Sequence, residues 1–367
     1  MSQHSAVPRR AMILAAGLGE RLHPLTCRRA KPALPILNRP LIAEIARRLA
    51  AAGVRELVVN LHHQPQTVRT SLLGTLPEGV SVVFSEEQPR VLGTGGALRR
   101  ARSHLEGGPF LLANGDSLSA CDLEALARAH RKFSSLATLV VRPLRPGDPY
   151  RPLEADEAGR LWRIAGRPCS AQPPQPRLKQ YLFTGIHLIE PELFDFFPER
   201  EVFDINHDVY PAALAAGRRV TVLPDTSAWY EIGNPSGYLS ASLALLAAGG
   251  LAGAAEHLVR EGIFAGSKVR GLDVATLDPP VWLGSGSSLQ AGARLRRCVI
   301  GPRCEMQQGA HVEDSVLLEG ARVGAGAMLR GVIADEGVEV PPAASFESRV
   351  LVRDNGSLAT YDLSVEA

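Results

Sequence analysis

Between Leu283 and Leu329 the apolar residues keep a short beat. Leu283, Leu289, Leu295, Ile300, Met306, Val312, Leu318, Val323 and Leu329 follow one another at gaps of 6, 6, 5, 6, 6, 6, 5 and 6 residues. Glycines and small residues fill the intervals, as in LGSGSSLQAG and VGAGAM. Three such steps make one triangular coil of a β-helix, in which each apolar residue points inward onto the coil below. The stretch from 278 onward holds about three to four coils, near the minimum for stable stacking. The competing arrangement is an antiparallel sheet with glycine turns, and the regularity of the period favours the β-helix.

Upstream the texture is different. Residues 11–16, 55–61, 80–87, 109–116 and 136–144 read as strands. Between them lie helical stretches. Leu41, Ile42, Ile45 and Leu49 share one face of a helix over 40–52, and Gly53 is placed to stop it. A second helix is expected over 96–105, and a third, LEALARAHRKF, follows Asp122 as its cap. Strands alternating with helices imply parallel crossovers, hence an α/β class with a Rossmann-like, doubly wound, mostly parallel sheet. From 145 the chain is rich in proline, with a hairpin-like turn at Glu157-Ala158-Gly159. Asn234 and Pro235 open a further helix, and Gly249-Gly250 mark a linker. The expected division is 1–248 for the α/β domain, 249–277 for the linker and 278–367 for the repeats.

With 367 residues the chain suits two or three domains, and 45% hydrophobic content is enough for packed interiors. A formal charge of +2 argues against a general nucleic-acid coat but leaves anionic small molecules open, because local clusters can be basic. Few aromatic residues disfavour a stacking platform for single strands. The five cysteines are scattered without CxxC spacing, which suggests neither a disulfide frame nor a zinc site and points to a reducing, cytoplasmic compartment. The opening MSQHSAVPRRAMILAAG mimics a twin-arginine signal, yet its apolar run is short and Glu20 and Arg21 follow at once, so no export is expected. No stretch is long enough to span a bilayer.

In open α/β sheets, ligands bind at the carboxyl ends of strands. Three suggestive segments fall there: the loop after the first strand, SEEQPRVLGTGGAL and NGDS. The first, LAAGLGERLHPLTCRRAKPALPI (14–36), combines Gly17 and Gly19 with Arg21, Lys31 and three prolines. It is neither a dinucleotide fingerprint, since Leu22 stands where the third glycine would be, nor a Walker loop. Glycines let backbone N–H groups approach phosphate oxygens, Arg21 offers a planar fork, and Lys31 offers a compact charge. Pro24, Pro32 and Pro35 stiffen the segment. The bland alternative for both cations is a solvated loop.

This loop closely resembles the signature of the sugar-1-phosphate nucleotidylyltransferases, the NDP-sugar pyrophosphorylases, with glycines, arginine, PLT and KP all in register. The resemblance spans most of 11–240. The C-terminal hexads resemble the left-handed parallel β-helix carried by several members, among them GDP-mannose pyrophosphorylases. The family joins an NTP to a sugar 1-phosphate and releases pyrophosphate, so the resemblance implies those two substrates and Mg²⁺ as cofactor. A homo-oligomer, dimer or higher, is expected because symmetric dimers are the common default. It implies that Leu14, Ala15, Ala16, Gly17, Gly19 and Glu20 bring main chain to the nucleotide, with Asn114 and Gly115 beside it. Arg21 would hold the β/γ phosphates, Lys31 the α-phosphate, and Asp116 a magnesium ion.

Other segments match less completely. AWYEIGNP is similar to the family's W-x-D-I-G-x-P, with Glu231 in the aspartate's place as second metal ligand and Asp225 as its substitute candidate. LGTGGAL matches the loop that packs on the nucleobase: Gly93, Thr94 and Gly95 belong to it, Gly95 and Gly96 permit flat stacking, and Glu87 upstream is a candidate acceptor for a guanine edge. On the sugar side the resemblance implies Glu154 on hydroxyls, Thr184 and Gly185 lining the pocket, and Arg167 on the phosphate, where Gly166-Arg167-Pro168 departs from the usual E-K-P. His62 and His63 read as loop or cap residues.

The favoured expectation is GTP with a mannose- or heptose-type 1-phosphate. Glu20 also matches uridylyl-transferring members, so a uridylyltransferase for an N-acetylmuramate- or N-acetylglucosamine-type 1-phosphate is the alternative. A catalytically silent homologue is a further one, and acyl transfer through His311 on the coils another.

Overall fold

The computed structural model describes Val7–Ile164, the main chain of Arg167 and Pro168, and Leu178–Leu363. Contacts group the chain into two compact units. One holds the chain through Leu18, Ala30–Ala33 and Leu41–Trp229; the other holds Gly19–Arg29, Leu34–Pro40 and Tyr230 onward. The division by contacts thus falls ahead of residue 248 and cuts through the glycine loop.

In the first unit β1 (Arg10–Leu14), α1 (Leu41–Ala51), β2 (Glu56–Leu61), α2 (Pro65–Leu73), β3 (Ser81–Glu86), α3 (Gly93–Arg100), β4 (Phe110–Asn114), α4 (Leu123–Phe133) and β5 (Ala137–Pro143) alternate as the sequence predicts. Two long-range strands, β6 (Lys179–Ile189) and β7 (Val220–Pro224), join them in the order β3-β2-β1-β4-β6-β5-β7, and three short strands, Leu153–Ala155, Leu161–Ile164 and Arg167–Pro168, extend the same ten-stranded sheet antiparallel from one end of β6. Within β1 to β7 all neighbours run parallel except β6, which is antiparallel to both β4 and β5. The body of seven strands is therefore mostly parallel with one reversed strand inserted.

The central strands are apolar on both faces, with Ala11, Met12 and Ile13 fully buried, as a helix-covered sheet requires. Leu41, Ile42, Ile45 and Leu49 form the buried face of α1 as expected. The Asp122 carboxylate accepts from the Glu124 and Ala125 N–H groups at 2.9 Å, which fixes the start of α4. The expected hairpin closes between Leu153–Ala155 and Leu161–Ile164. β1 has β2 on one side and β4 on the other: the chain steps outward from β1 through β2 to β3, then crosses back past β1 to β4. That is the switch point of the sheet, where a crevice opens at the strand ends.

The second unit contains α5 (Pro235–Ala247), capped by Asn234 Oδ1 accepting from the Gly237 N–H at 2.7 Å, and the coiled region. There the strands stack in parallel. Leu289 lies opposite Met306, then Val323, then Val340. Ile300 lies opposite Leu317, Ala334 and Leu351 in turn. Each partner is 17 residues on, so one coil is three steps of 6, 6 and 5, and the parallel β-helix is present. The inward place expected of Leu318 belongs to Leu317, its neighbour; Leu318 is buried outside the stack. The parallel pairing begins with Ile263 opposite Val281, inside the stretch expected to be linker. An antiparallel hairpin of Arg349–Asp354 with Ser357–Asp362 follows the last coil.

Candidate active site

At the carboxyl ends of β1, β2 and β3 a buried chain of hydrogen bonds ties two loops together. The Ala15 N–H donates to Asn60 Oδ1 at 2.7 Å, and Asn60 Nδ2 donates to Glu87 Oε1 at 2.7 Å. Glu87 Oε2 accepts from the Leu92 N–H at 2.7 Å, and His62 Nδ1 meets the Glu87 carbonyl at 2.7 Å. Glu87 is wholly buried. The carboxylate expected to face a guanine edge therefore has both oxygens engaged within the protein. Strand alternation is the reason: Ser85 and Glu87 point inward, while Glu86 points out to Arg69. Gln88, the next residue, is exposed.

The GTGG residues form the first turn of α3, three residues earlier than expected. The Gly95 and Gly96 N–H groups both donate to the Phe203 carbonyl, at 3.0 and 3.2 Å. A Cβ on Gly95 would stand 2.4 Å from the Phe203 ring, and one on Gly96 would stand 2.5 Å from the Glu201 carbonyl. Thr94 Oγ1 donates to Asp204 Oδ2 at 2.7 Å and accepts from the Ile205 N–H at 2.8 Å. Close packing on residues 201–205 thus requires these glycines, whatever else the loop contacts. Gly93 sits at φ +75°, and a Cβ there would meet the Phe203 carbonyl at 2.6 Å.

The switch point carries the charged pair. The Gly115 N–H donates to the Leu14 carbonyl at 2.9 Å, and a Cβ on Gly115 would stand 2.4 Å from that oxygen, so only glycine lets the β4 end close on the β1 end. Asp116 follows. Lys31, at the head of a short 3-10 turn (Lys31–Ala33), places Nζ 3.2 Å from Asp116 Oδ2, with the side chains 12% and 30% exposed. These two predicted residues do come together. Gly17, just past β1 and the following Ala15 and Ala16, faces open space where a Cβ would be.

The sugar-side candidates fare differently. Thr184 is buried and its hydroxyl donates to the Val140 carbonyl on the neighbouring strand at 2.7 Å. Its carbonyl accepts from Ser117 Oγ at 3.2 Å and Trp229 Nε1 at 2.9 Å. Gly185, at φ +93°, has the Asn114 Cβ 2.9 Å from where its own would be. Glu154 is held by Arg163 at 2.9 Å and Gln180 at 3.3 Å. The main chain of Arg167 pairs with Ile164, and its side chain lies outside the described residues. Asp225 accepts from the Ser227 N–H at 3.3 Å and from the Ser227 hydroxyl.

In the second unit, Gly19 (φ +70°) starts two successive turns, with the Leu22 N–H donating to the Gly19 carbonyl at 2.9 Å and the Leu25 N–H to the Leu22 carbonyl at 3.0 Å. Leu22, Leu25 and Thr26 are buried, and Thr26 Oγ1 donates to the Gly19 carbonyl at 2.8 Å. Glu20 and Arg21 are exposed. Glu231 is partly buried, three residues before the Asn234 cap.

Among the described residues no three His, Cys, Asp or Glu side chains gather as a metal cage. The donor set instead contains a part-exposed lone carboxylate, Asp116, which fits a hard cation that shares substrate phosphates and keeps its waters. Among the described residues Cys27, Cys121, Cys298 and Cys304 form no disulfide, and burial pushes the Cys121 thiol up to about 11 and the Cys304 thiol up to about 12. Among the described residues no helix is long and apolar enough to cross a membrane.

Residues 10–248 match the Nucleotidyl transferase family, and residues 282–346 match the GlmU-like, C-terminal hexapeptide family. A UTP--glucose-1-phosphate uridylyltransferase of Synechocystis sp. is 27% identical over 341 residues, covering 87% of this chain and 85% of the relative. A mannose-1-phosphate guanylyltransferase of Mycobacterium tuberculosis is 28% identical over 324 residues, covering 87% and 82%. A probable mannose-1-phosphate guanylyltransferase 1 of Oryza sativa subsp. japonica is 28% identical over 320 residues, covering 84% and 85%. The family match extends over the whole sheet and its strand-end loops, and the hexapeptide match covers most of the coils. The chain belongs to the nucleotidyl transferase family, among the sugar-1-phosphate nucleotidylyltransferases.

Proposed function

We propose that this protein joins an NTP to a sugar 1-phosphate with release of pyrophosphate, and that its substrates are GTP and a mannose- or heptose-type 1-phosphate, with Mg²⁺. The supporting observation is the Lys31–Asp116 pair at the switch point, with Asp116 just past the strand beside the one that Gly17 follows and the Gly17 main chain left uncovered. The Mycobacterium and Oryza relatives, named as guanylyltransferases, support the choice of base and sugar.

The sugar phosphate oxygen is already ionised near pH 7, so attack on the α-phosphorus needs no general base. The work of the side chains is positioning and charge neutralisation. In the resting protein Lys31 and Asp116 neutralise each other. An arriving triphosphate offers Lys31 a new anionic partner and leaves the carboxylate available to a cation. Asp116 would hold that cation, with Glu231 as the second carboxylate; when bound it supplies Lewis-acid neutralisation of phosphate oxygens. Arg21 takes the β/γ phosphates, and the main chain from Leu14 to Gly19 approaches the nucleotide. Gln88 replaces Glu87 as the side chain offered to the base, since its amide both donates and accepts. Gly185 shapes the sugar pocket through its backbone, and Glu154 and Arg167 serve the sugar's hydroxyls and phosphate. The protein assembles as a homo-oligomer, which light scattering would show.

A second reading, UTP with a glucose-type or N-acetylated sugar 1-phosphate, is favoured by the Synechocystis relative and by Glu20. Four NTPs assayed against a dozen sugar 1-phosphates with Mg²⁺, read by phosphate after pyrophosphatase, separate the two. Turnover confined to GTP and mannose- or heptose-type phosphates sustains the first reading, and turnover confined to UTP replaces it with the second. Nucleotide binding without turnover in any pair makes the protein a silent homologue.

A further inference from the structure

In the column of coil positions spaced by 17 residues, Gly284, Gly301 and Leu318 precede position 335, and Val352 follows it. The main-chain bonds confirm the column: Gly301 donates to Leu317 at 2.7 Å, Leu318 to Ala334 at 2.8 Å, and Asp335 to Leu351 at 2.8 Å. Every member but one is glycine or apolar. Asp335 is the exception, and it is 6% exposed. A buried carboxylate in an apolar column breaks the local rule of the coil, and such breaks mark positions held for another purpose.

Its partner explains the exception. Arg29 Nη2 lies 3.2 Å from Asp335 Oδ1 and 2.8 Å from Glu336 Oε2. The Arg29 side chain is 15% exposed, whereas Glu336 is 58% exposed and contributes little. Arg28 adds a bond from Nη2 to the Arg353 carbonyl at 2.7 Å. Burial raises the Asp335 pKa, and Arg29 opposes that shift. The Asp335 main chain is fixed by its rung and by the Val338 N–H, which donates to its carbonyl at 3.2 Å, so its carboxylate is a rigid post. The segment Gly19–Arg29, which carries Arg21, is otherwise held by Leu22, Leu25 and Thr26.

We propose that the β-helix sets the working shape of the Arg21 loop, with Asp335 as a positioning residue for nucleoside triphosphate that acts through Arg29. The nucleotide half of this inference rests on the proposed function. Asp335→Leu is the sharpest variant, because leucine already occupies the equivalent place at Leu318 and the coil tolerates it. Hydrogen exchange of the full chain tests the anchor without any substrate. Amides of Gly19–Arg29 are expected to exchange at least about tenfold faster in Asp335→Leu and in Arg29→Ala, while coil amides from Arg294 to Leu351 stay unchanged. The double variant adds nothing to either single one. In turnover the KM for NTP rises about tenfold, the KM for sugar 1-phosphate stays within about twofold, and Asp335→Glu recovers part of the loss. Unchanged exchange in the loop overturns the anchor. Faster exchange with an unchanged KM for NTP overturns the link to the nucleotide. If the wild-type protein turns over no NTP, the proposed function fails, and the exchange result still decides whether the coils hold the loop.

Discussion

Glu87 and Asp116 stand at the carboxyl ends of two strands of one sheet, and both read as ligand carboxylates in the sequence. Their surroundings separate them. Glu87 is fully buried, takes a hydrogen bond on each oxygen, and belongs to a chain running from Ala15 through Asn60 to Leu92. Asp116 keeps 30% of its side chain exposed and meets one ammonium at 3.2 Å. A saturated buried network is costly to disturb and fixes the loops it joins. A part-exposed pair can exchange partners at little cost, which is what a site for phosphates and a cation needs.

The largest effect expected from this contrast is on turnover. Lys31→Ala should lower kcat by about two to three orders of magnitude, the usual loss for one preorganised charge at a reacting phosphoryl or acyl centre. Its thermal melt should stay within about 1 kcal/mol of wild type, because part-exposed ion pairs contribute little to folding. Pyrophosphate release and calorimetric melting on the same sample decide this. A Lys31→Ala protein with wild-type turnover would undo the assignment of the open pair as the reacting one.

The mirror experiment is Glu87→Ala. It strands the Asn60 amide and the Leu92 N–H in a buried place, at a cost of about 1–3 kcal/mol each. Denaturant unfolding should therefore show a loss of about 3 kcal/mol. Glu87→Gln sharpens the comparison further. If the carboxylate is structural, the amide variant is less stable and keeps the same preference among NTPs. A switch of preferred base at unchanged stability would return Glu87 to the ligand.

Much of this architecture was legible. The alternation of strands and helices gave the parallel sheet, and the hexad beat gave the coils, because both periods follow from local geometry. What stayed hidden is non-local. Nothing in QYLFTGIHLI says that β6 runs against its neighbours, since direction is set by partners distant in sequence. Leu317 and Leu318 are adjacent and equally apolar, so only the 17-residue register decides which points inward. At the end of β3 the buried Ser85 and the following Glu87 are polar, while Val83 on the same side of the strand is exposed, so polarity did not mark which residues are covered. In the site, Lys31 and Asp116 were legible as a pair of charges in loops. That Thr184 spends its hydroxyl on Val140, and that the glycines of α3 answer to Phe203, depends on packing the sequence does not print.

The saturated side of the comparison extends to His187, which is buried against Tyr210, with Nδ1 2.7 Å from the phenol oxygen. Burial pushes its pKa down to about 3. The unfolded chain binds a proton there near pH 6.5, and the folded chain does not. Stability from this group is therefore complete above about pH 6.5 and is lost as pH falls toward 3, at up to about 1.4 kcal/mol per pH unit. His130, lowered chiefly by burial and opposed by Glu190, adds in the same direction. Melting curves between pH 7 and 4 should show a steeper fall for the wild type than for His187→Gln. Equal slopes would mean that the imidazole takes up a proton without unfolding, and that this part of the core is looser than its contacts indicate.

The smallest structural effect belongs to Gly17, and it is the cleanest test of openness. Gly115 and Gly17 follow neighbouring strands, but a Cβ on Gly115 would press on the Leu14 carbonyl at 2.4 Å, whereas one on Gly17 would meet nothing within 4 Å. Gly115→Ala should therefore cost about 1–3 kcal/mol of stability, as overpacking against backbone does. Gly17→Ala should leave the melt unchanged or raise it by about 0.4–1 kcal/mol, because alanine restricts only the unfolded chain. Yet the added methyl stands where the proposed phosphates approach the main chain, so the KM for NTP should rise several-fold with no change in the KM for sugar 1-phosphate. A Gly17→Ala protein with unaltered nucleotide affinity would show that the open face of this loop is not where the triphosphate lies, even though nothing in the fold fills it.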